Sequence, residues 1–334
     1  MKKVLITGAS GFIGGFLVEE ALKRNYDVFA GVRSSSNRDY LKHSNLYFFE
    51  SNLGDKNALK NKLASVLNEY GKFDYIIHNA GITKSCNKHD FEKVNYRFTR
   101  NLIEALTEAN ALPEKFVFIS SLAAYGPGNE KTLKAIRHSD VPQPVTLYGK
   151  SKLKAEQYIQ SLDHLPYLII RPTGVYGPRE KDYYVVYKTI NKGLETYIGS
   201  TDQHISFIYV KDLTKLIFNA LESQISRKAY FISDLEAYTS SSFLSLVKQV
   251  LKKKTLRLVF PMFLVRIIAF LSEKLSCIFG VSPTLNTEKY KEISSKNWLC
   301  DSSEIVKDFG FIPEYNLQRG LEETIAWYKN EKLL

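Results

Sequence analysis

The sequence predicts an α/β protein, a doubly wound parallel sheet (Rossmann) with a smaller C-terminal α/β cap. Three observations carry that expectation. Short apolar runs alternate with amphipathic helical patterns through the first half of the chain. The first run, Lys2-Lys3-Val4-Leu5-Ile6-Thr7, passes directly into the glycine turn Gly8-Ala9-Ser10-Gly11-Phe12-Ile13-Gly14 and then an amphipathic stretch to Arg24. After Val175 the alternation loosens. In order, strands are expected near Val4, Val28, Leu46, Tyr75, Val117 and Ile169, with helices between them, and one more at Ile205 to Tyr209. On this reading residues 1–172 plus about 205–232 form the sheet domain, and about 173–204 and 233–334 form the cap.

Composition bounds the function classes. At 334 residues, 44% hydrophobic and 24% charged, the chain has the make-up of an ordinary globular protein of one or two domains. The net charge of +11 raises nucleic acid or an anionic surface as partners, but the lysines are spread along predicted helices. Only Lys252-Lys253-Lys254 is a tight run, at the expected end of a helix where the macrodipole favours cations, so we read a solvated face and no nucleic-acid partner. Cys86, Cys277 and Cys300 are too few and too scattered for a disulfide framework or a zinc site, which predicts no metal and a reducing compartment. The N-terminus offers a four-residue apolar run before Gly8, a first strand rather than a secretory signal. The cytoplasm is the expected location.

Two motifs carry chemistry. Glycines between a strand and a helix let the backbone turn sharply and approach a pyrophosphate, whose charge meets free N–H groups at the helix N-terminus. The spacing here differs from G-x-G-x-x-G by one inserted residue. Further on, Tyr148-x-x-x-Lys152 places a phenol and an ammonium four residues apart on one helix face. A phenol with a pKa near 10 needs such a cation to approach the range of general acid–base chemistry.

Together, T-G-x-x-G-x-x-G at the N-terminus and Y-x-x-x-K near residue 150 resemble the extended short-chain dehydrogenase/reductase superfamily, the NAD-dependent epimerase/dehydratase family. Other landmarks follow in order: His78-Asn79-Ala80-Gly81 after a strand, Ser120-Ser121 through Tyr125-Gly126 after the next, and Arg171-Pro172-Thr173-Gly174-Val175-Tyr176-Gly177-Pro178. The resemblance implies hydride transfer at a nicotinamide. Tyr148 would exchange a proton with the substrate oxygen, Ser121 would hydrogen-bond that oxygen, and Lys152 would hold the nicotinamide ribose while lowering the phenol pKa. It further implies dinucleotide contacts at Gly8, Ser10, Gly11, Phe12, Ile13, Gly14, Arg33, Asn52, Leu53, Asn79, Ala80, Gly81, Tyr148, Lys152, Pro172 and Val175. Asn95 matches a helix position that supports the lysine in relatives, and a purely structural role is kept open for it. Relatives also imply a homodimer through the helices containing Asn95 and Tyr148.

No carboxylate lies between Val28 and Arg38, whereas NAD-preferring members of the family place one there for the ribose hydroxyls. Arg33 is placed to meet a 2′-phosphate, with Ser34 or Arg38 assisting, so NADP is the expected cofactor and NAD the alternative. For the substrate, Gly174 and Ile205 replace the Asn and Arg that serve a nucleotide-sugar pyrophosphate in many relatives. Ser121 is followed by Leu122-Ala123 in place of a dehydratase's acidic pair. The chain therefore looks like the 3β-hydroxysteroid dehydrogenase and dihydroflavonol reductase branch, with an apolar ring alcohol or ketone as the small-molecule substrate. The alternatives are a nucleotide-sugar epimerase or dehydratase with bound NAD, and a non-catalytic NADP-binding sensor or scaffold. Leu256 to Gly280 is apolar but too short between charges to span a bilayer, and leaves three readings: a packed cap helix, a lid, or an interfacial membrane contact.

Overall fold

A computed structural model describes residues 1–199, 202–278 and 285–334. The first half contains β1 (Lys3–Thr7), α1 (Phe12–Lys23), β2 (Asp27–Val32), β3 (Leu46–Glu50), α2 (Lys56–Tyr70), β4 (Tyr75–His78), α3 (His89–Glu92), α4 (Phe98–Glu108), β5 (Lys115–Ile119), α5 (Leu147–Gln160) and β6 (Tyr167–Pro172). The second half continues with β7 (Gly174–Tyr176), α6 (Asp182–Asn191), β8 (Leu194–Ile198), β9 (His204–Ile205), β10 (Phe207–Tyr209), α7 (Val210–Glu222) and β11 (Lys228–Ile232). It ends with β12 (Tyr238–Thr239), α8 (Ser240–Leu251), β13 (Leu256–Phe260), α9 (Met262–Ile278), α10 (Thr287–Ser294), β14 (Asn297–Trp298), α11 (Ser303–Phe309) and α12 (Leu317–Asn330).

Seven parallel strands form the main sheet in the order β11-β6-β5-β4-β1-β2-β3. All six strands expected in the first half are in it, and β11 adds a seventh edge. Central strands such as Phe116-Val117-Phe118-Ile119 are buried on both faces, which is why they read as continuous apolar runs instead of alternating. One core, with Leu17, Val18 and Ala21 of α1 and Leu213 and Ile217 of α7, covers one face of the sheet; another, with Leu59 of α2, Leu102 and Leu106 of α4 and Ala155 of α5, covers the other. The chain reverses direction between β1 and β4, leaving a crevice at their carboxyl ends where α/β sheets bind ligands.

The second region packs around its own aromatic core, with Tyr176, Tyr187, Phe207, Phe243 and Tyr328. The strand expected at Ile205 to Tyr209 is split at Ser206 into β9 and β10, which pair in different small sheets. Two corrections concern the C-terminal segment. Cys86 and Cys277 form a disulfide, with Cα atoms 5.5 Å apart, although they are 191 residues apart in sequence. Separation along the chain says nothing about proximity once a cap folds back over the sheet, and the pairing withdraws cysteine usage as support for a reducing compartment. The apolar stretch from Leu256 forms β13 and α9, and only Val265 and Ala269 of α9 are buried, which corrects the first of its three readings, the packed cap helix, and leaves the other two. Phe279 and Gly280, the end of that stretch, lie outside the described residues.

Candidate functional site

The glycine turn brings α1 hard against the end of β1. A Cβ on Gly14 would collide with the Gly8 carbonyl oxygen, so this approach requires glycine. Gly11 precedes α1 with no side-chain cap, and no acidic residue stands in the first turn. Free N–H groups and the positive dipole end near Phe12, Ile13 and Gly14 therefore fit the diphosphate of a dinucleotide, with Ser10 in the same turn.

At the end of β4, the buried His78 joins three elements. Its Nδ1 is 2.8 Å from Thr7 Oγ1 and its Nε2 is 2.9 Å from Thr99 Oγ1. Thr99 donates its hydroxyl proton to the Asn95 carbonyl, so Nε2 must donate to Thr99 and Nδ1 must accept from Thr7. Burial, with Lys152 adding to it, pulls the imidazole down to about 3, and the ring is neutral. Thr7 Oγ1 in turn accepts from Ala80 N, and Asn79 Nδ2 donates to the Gly8 carbonyl, fixing both expected contact residues against the glycine turn.

Ser121 and Tyr148 meet because α5 lies close on the turn at Leu122–Ala124. A Cβ on Gly149 would strike the Ala123 carbonyl oxygen, and Thr146 caps α5 by accepting from Gly149 N. Burial pushes the Tyr148 phenol up to about 12; Ser121 and Lys289 pull it down and Glu292 opposes them. Lys152 is held at the end of β5. Its buried Nζ donates to the Ile119 carbonyl at 2.7 Å and lies 4.7 Å from the centre of the Phe118 ring, and burial pushes it down to about 8 against the pull of Glu156. The ammonium thus pairs a buried carbonyl at the end of β5, one helical turn along α5 from the phenol.

Asn95 is fully buried in a π-helical turn, Lys93–Arg97. It accepts from Ile82 N at 2.8 Å and donates to the Ile82 carbonyl and to Ser151 Oγ at 3.0 Å each. This clamps the strand-end loop to α5, with Gly81 beside Lys152: a Cβ there would lie 3.2 Å from its Nζ. Behind α5, Arg171 holds Glu156 through two nitrogens, Nε at 3.0 Å and Nη2 at 2.8 Å, and Ser120 donates to the same carboxylate. Glu156 sits one turn beyond Lys152, a Y-x-x-x-K-x-x-x-E pattern legible in the sequence.

The remaining expected contacts disperse. Arg33 is exposed and in no ion pair among the described residues, whereas Arg38 pairs with Glu50 at 2.9 Å and stacks on Phe48. Glu50 stands opposite Val32 in the sheet, so the third strand supplies a carboxylate that the carboxyl end of the second lacks. Asn52 is exposed and accepts from Gly54 N, while Leu53 packs on the core. Pro172 ends β6 and Val175 lies in β7.

The cap contributes residues that no motif announced. Lys289 of α10 pairs with Glu292 at 2.9 Å, and its charge pulls the Tyr148 and Tyr183 phenols down against the burial that raises both. The Tyr183 hydroxyl fills the space beside Gly174, only 2.6 Å from where a Cβ would stand. Ile205 pairs with Trp298. Arg179 is turned away from this cleft, paired with Glu19 at 2.8 Å and stacked between Phe16 and Tyr40.

A model of the NAD dependent epimerase/dehydratase family matches residues 4–232. The UDP-glucose 4-epimerase of Vibrio cholerae is 26% identical over 97% of this chain and 94% of its own. The decarboxylating sterol-4-alpha-carboxylate 3-dehydrogenase of Dictyostelium discoideum is 24% identical over 97% of this chain and 100% of its own. Among solved structures, a Thermus thermophilus UDP-glucose 4-epimerase in complex with NAD superposes with a TM-score of 0.76 at 22% identity, covering 98% of this chain and 99% of that one.

Proposed function

Because this chain belongs to the NAD dependent epimerase/dehydratase family, we propose that it oxidises and re-reduces a ring hydroxyl of a diphosphate-linked sugar, with Ser121, Tyr148 and Lys152 at the reacting centre. It is an enzyme of the epimerase/dehydratase type. The observation that carries the proposal is the packing of α5 on the turn after β5, with no room for a Cβ on Gly149 beside the Ala123 carbonyl, which sets Tyr148 beside Ser121 at the carboxyl edge of the sheet. In this reading the sheet half, 1–172 with about 205–232, holds the dinucleotide and the cap holds the sugar.

The dinucleotide, when bound, supplies hydride acceptor and donor. Ser121 would orient the ring oxygen by hydrogen bonding, and Tyr148 as phenolate would take the hydroxyl proton in the oxidation half and give it back in the reduction half; burial holds the phenol up at about 12, so this role needs a cation to lower it. Lys152, beside Gly81, would hold the ribose of the dinucleotide. Gly174 and Ile205 argued against a substrate diphosphate; Lys289 is the cap cation that would meet one, by exchanging its partner Glu292 for the phosphate oxygens. For the cofactor, Arg33 without an ion pair supports NADP, while Glu50 beside it supports NAD, as in the Thermus neighbour.

A second reading, oxidation or reduction of an apolar ring alcohol or ketone, is favoured by the sterol dehydrogenase relative and by Tyr183 and Ile205 in the cleft. Incubation with UDP-sugars, product analysis and assay of any co-purified dinucleotide test the first reading. Sugar interconversion without net nicotinamide absorbance change is expected, and Tyr148→Phe should lower it by on the order of a hundredfold or more with dinucleotide binding retained. Turnover of steroid-like ketones with NADPH and none of any UDP-sugar would move the assignment to the second reading.

A further inference from the structure

The catalytic reading leaves one surface unused. α9 turns its apolar side outward: Phe263, Ile267, Phe270, Leu271, Leu275 and Ile278 recur at spacings of three and four, and all are exposed, Phe263 by 67% and Ile278 by 76%. The preceding β13 exposes Leu256 and Val259. A helix packed on a globular core turns such a stripe inward, and an outward one marks an interaction surface. No described helix is long and apolar enough to cross a membrane.

Charge identifies the occupant. Between residues 252 and 278 stand six cations, Lys252, Lys253, Lys254, Arg257, Arg266 and Lys274, against one acid, Glu273. None of the six is in an ion pair among the described residues, and Glu273 is engaged by Thr287, whose N and Oγ1 donate to it at 2.9 and 2.5 Å. An isologous contact with a second copy would set these cations against themselves, whereas an anionic lipid surface complements both the charge and the apolar stripe.

We propose that α9 and β13 form a docking face for an anionic bilayer, with α9 lying in the headgroup plane, its apolar stripe in the acyl boundary and the lysines and arginines on lipid phosphates. The face is joined to the site. Glu273 holds the start of α10, Glu288 of α10 accepts from Leu147 N at the start of α5, and Cys277 is bonded to Cys86 in the loop beyond Gly81. Docking goes beyond the reaction proposed above and does not depend on it.

The test is sedimentation of the full chain with vesicles of phosphatidylcholine alone, or with about one third phosphatidylglycerol, at low and high salt. Binding to the anionic vesicles should exceed binding to neutral ones by on the order of tenfold and fall with salt. Ile267→Ser with Phe270→Ser, and separately Lys253→Gln with Lys254→Gln, should each lower it about fivefold or more while the melting temperature stays within a few degrees. Failure of the folded wild type to bind, equal binding to both vesicles, or a dimer in light scattering that Ile267→Ser with Phe270→Ser splits, in place of vesicle binding, would overturn the proposal.

Discussion

α1 and α9 are both apolar helices that follow a short strand, yet they end in opposite environments. α1 buries Gly14, Gly15, Phe16, Leu17, Val18 and Ala21, six of its 12 residues; α9 buries two of 17. The difference lies in what each helix meets. α1 leaves β1 through a turn that forces it back over a seven-stranded sheet and against α7. α9 follows β13, which pairs only with β8, and its neighbour is the short α10. An apolar stripe therefore predicts burial only where the topology supplies a receiving layer, and elsewhere it predicts an interface.

The largest effect that could break the contrast is at the turn of α1. Gly14→Ala drives a methyl into the Gly8 carbonyl and should abolish measurable dinucleotide binding in a fluorescence titration. Normal affinity in that variant would remove the glycine turn from the nucleotide site. In the core behind it, Leu17→Ala should cost about 2–5 kcal/mol in denaturant unfolding.

His78 offers a comparable effect through pH. Its pKa is lower in the folded state, about 3, than the roughly 6.5 of the unfolded chain, so the unfolded state binds more protons between those values. The stability it supports is complete above pH 6.5 and is lost as pH falls towards 3, on the order of 3 kcal/mol by pH 4. Melting curves across that range, with His78→Gln as the variant that should flatten them, check the assignment. The smallest effect belongs to α9. Ile267→Ser should change stability by no more than about 0.5 kcal/mol, because Ile267 is half exposed. A loss as large as that of Leu17→Ala would mean that α9 is buried in solution and that the comparison fails.

Much of the sheet was legible because its signals are local. Buried parallel strands are short apolar runs, and Thr7 through Gly14 encodes a turn whose geometry needs glycine within a few residues. Ser121 and Tyr148 were legible as motif positions, and their meeting follows from α5 and the preceding turn packing at Gly149. Lys289, whose charge acts on the phenol, was not legible, because it sits in no motif and is brought to the site through α10. The space beside Gly174 read as a missing amide until Tyr183, nine residues on, filled it.

The sequence by itself determined the parallel α/β class, the glycine turn and the order of Ser121, Tyr148 and Lys152, since each depends on spacing within one strand, turn or helix. The tertiary structure alone decided that Lys152 reaches the Ile119 carbonyl, that Cys86 meets Cys277, and that the stripe of α9 faces outward. The physical reason is that periodicity sets which side chains share a face, whereas what that face meets depends on segments far away in the chain, which no local pattern specifies.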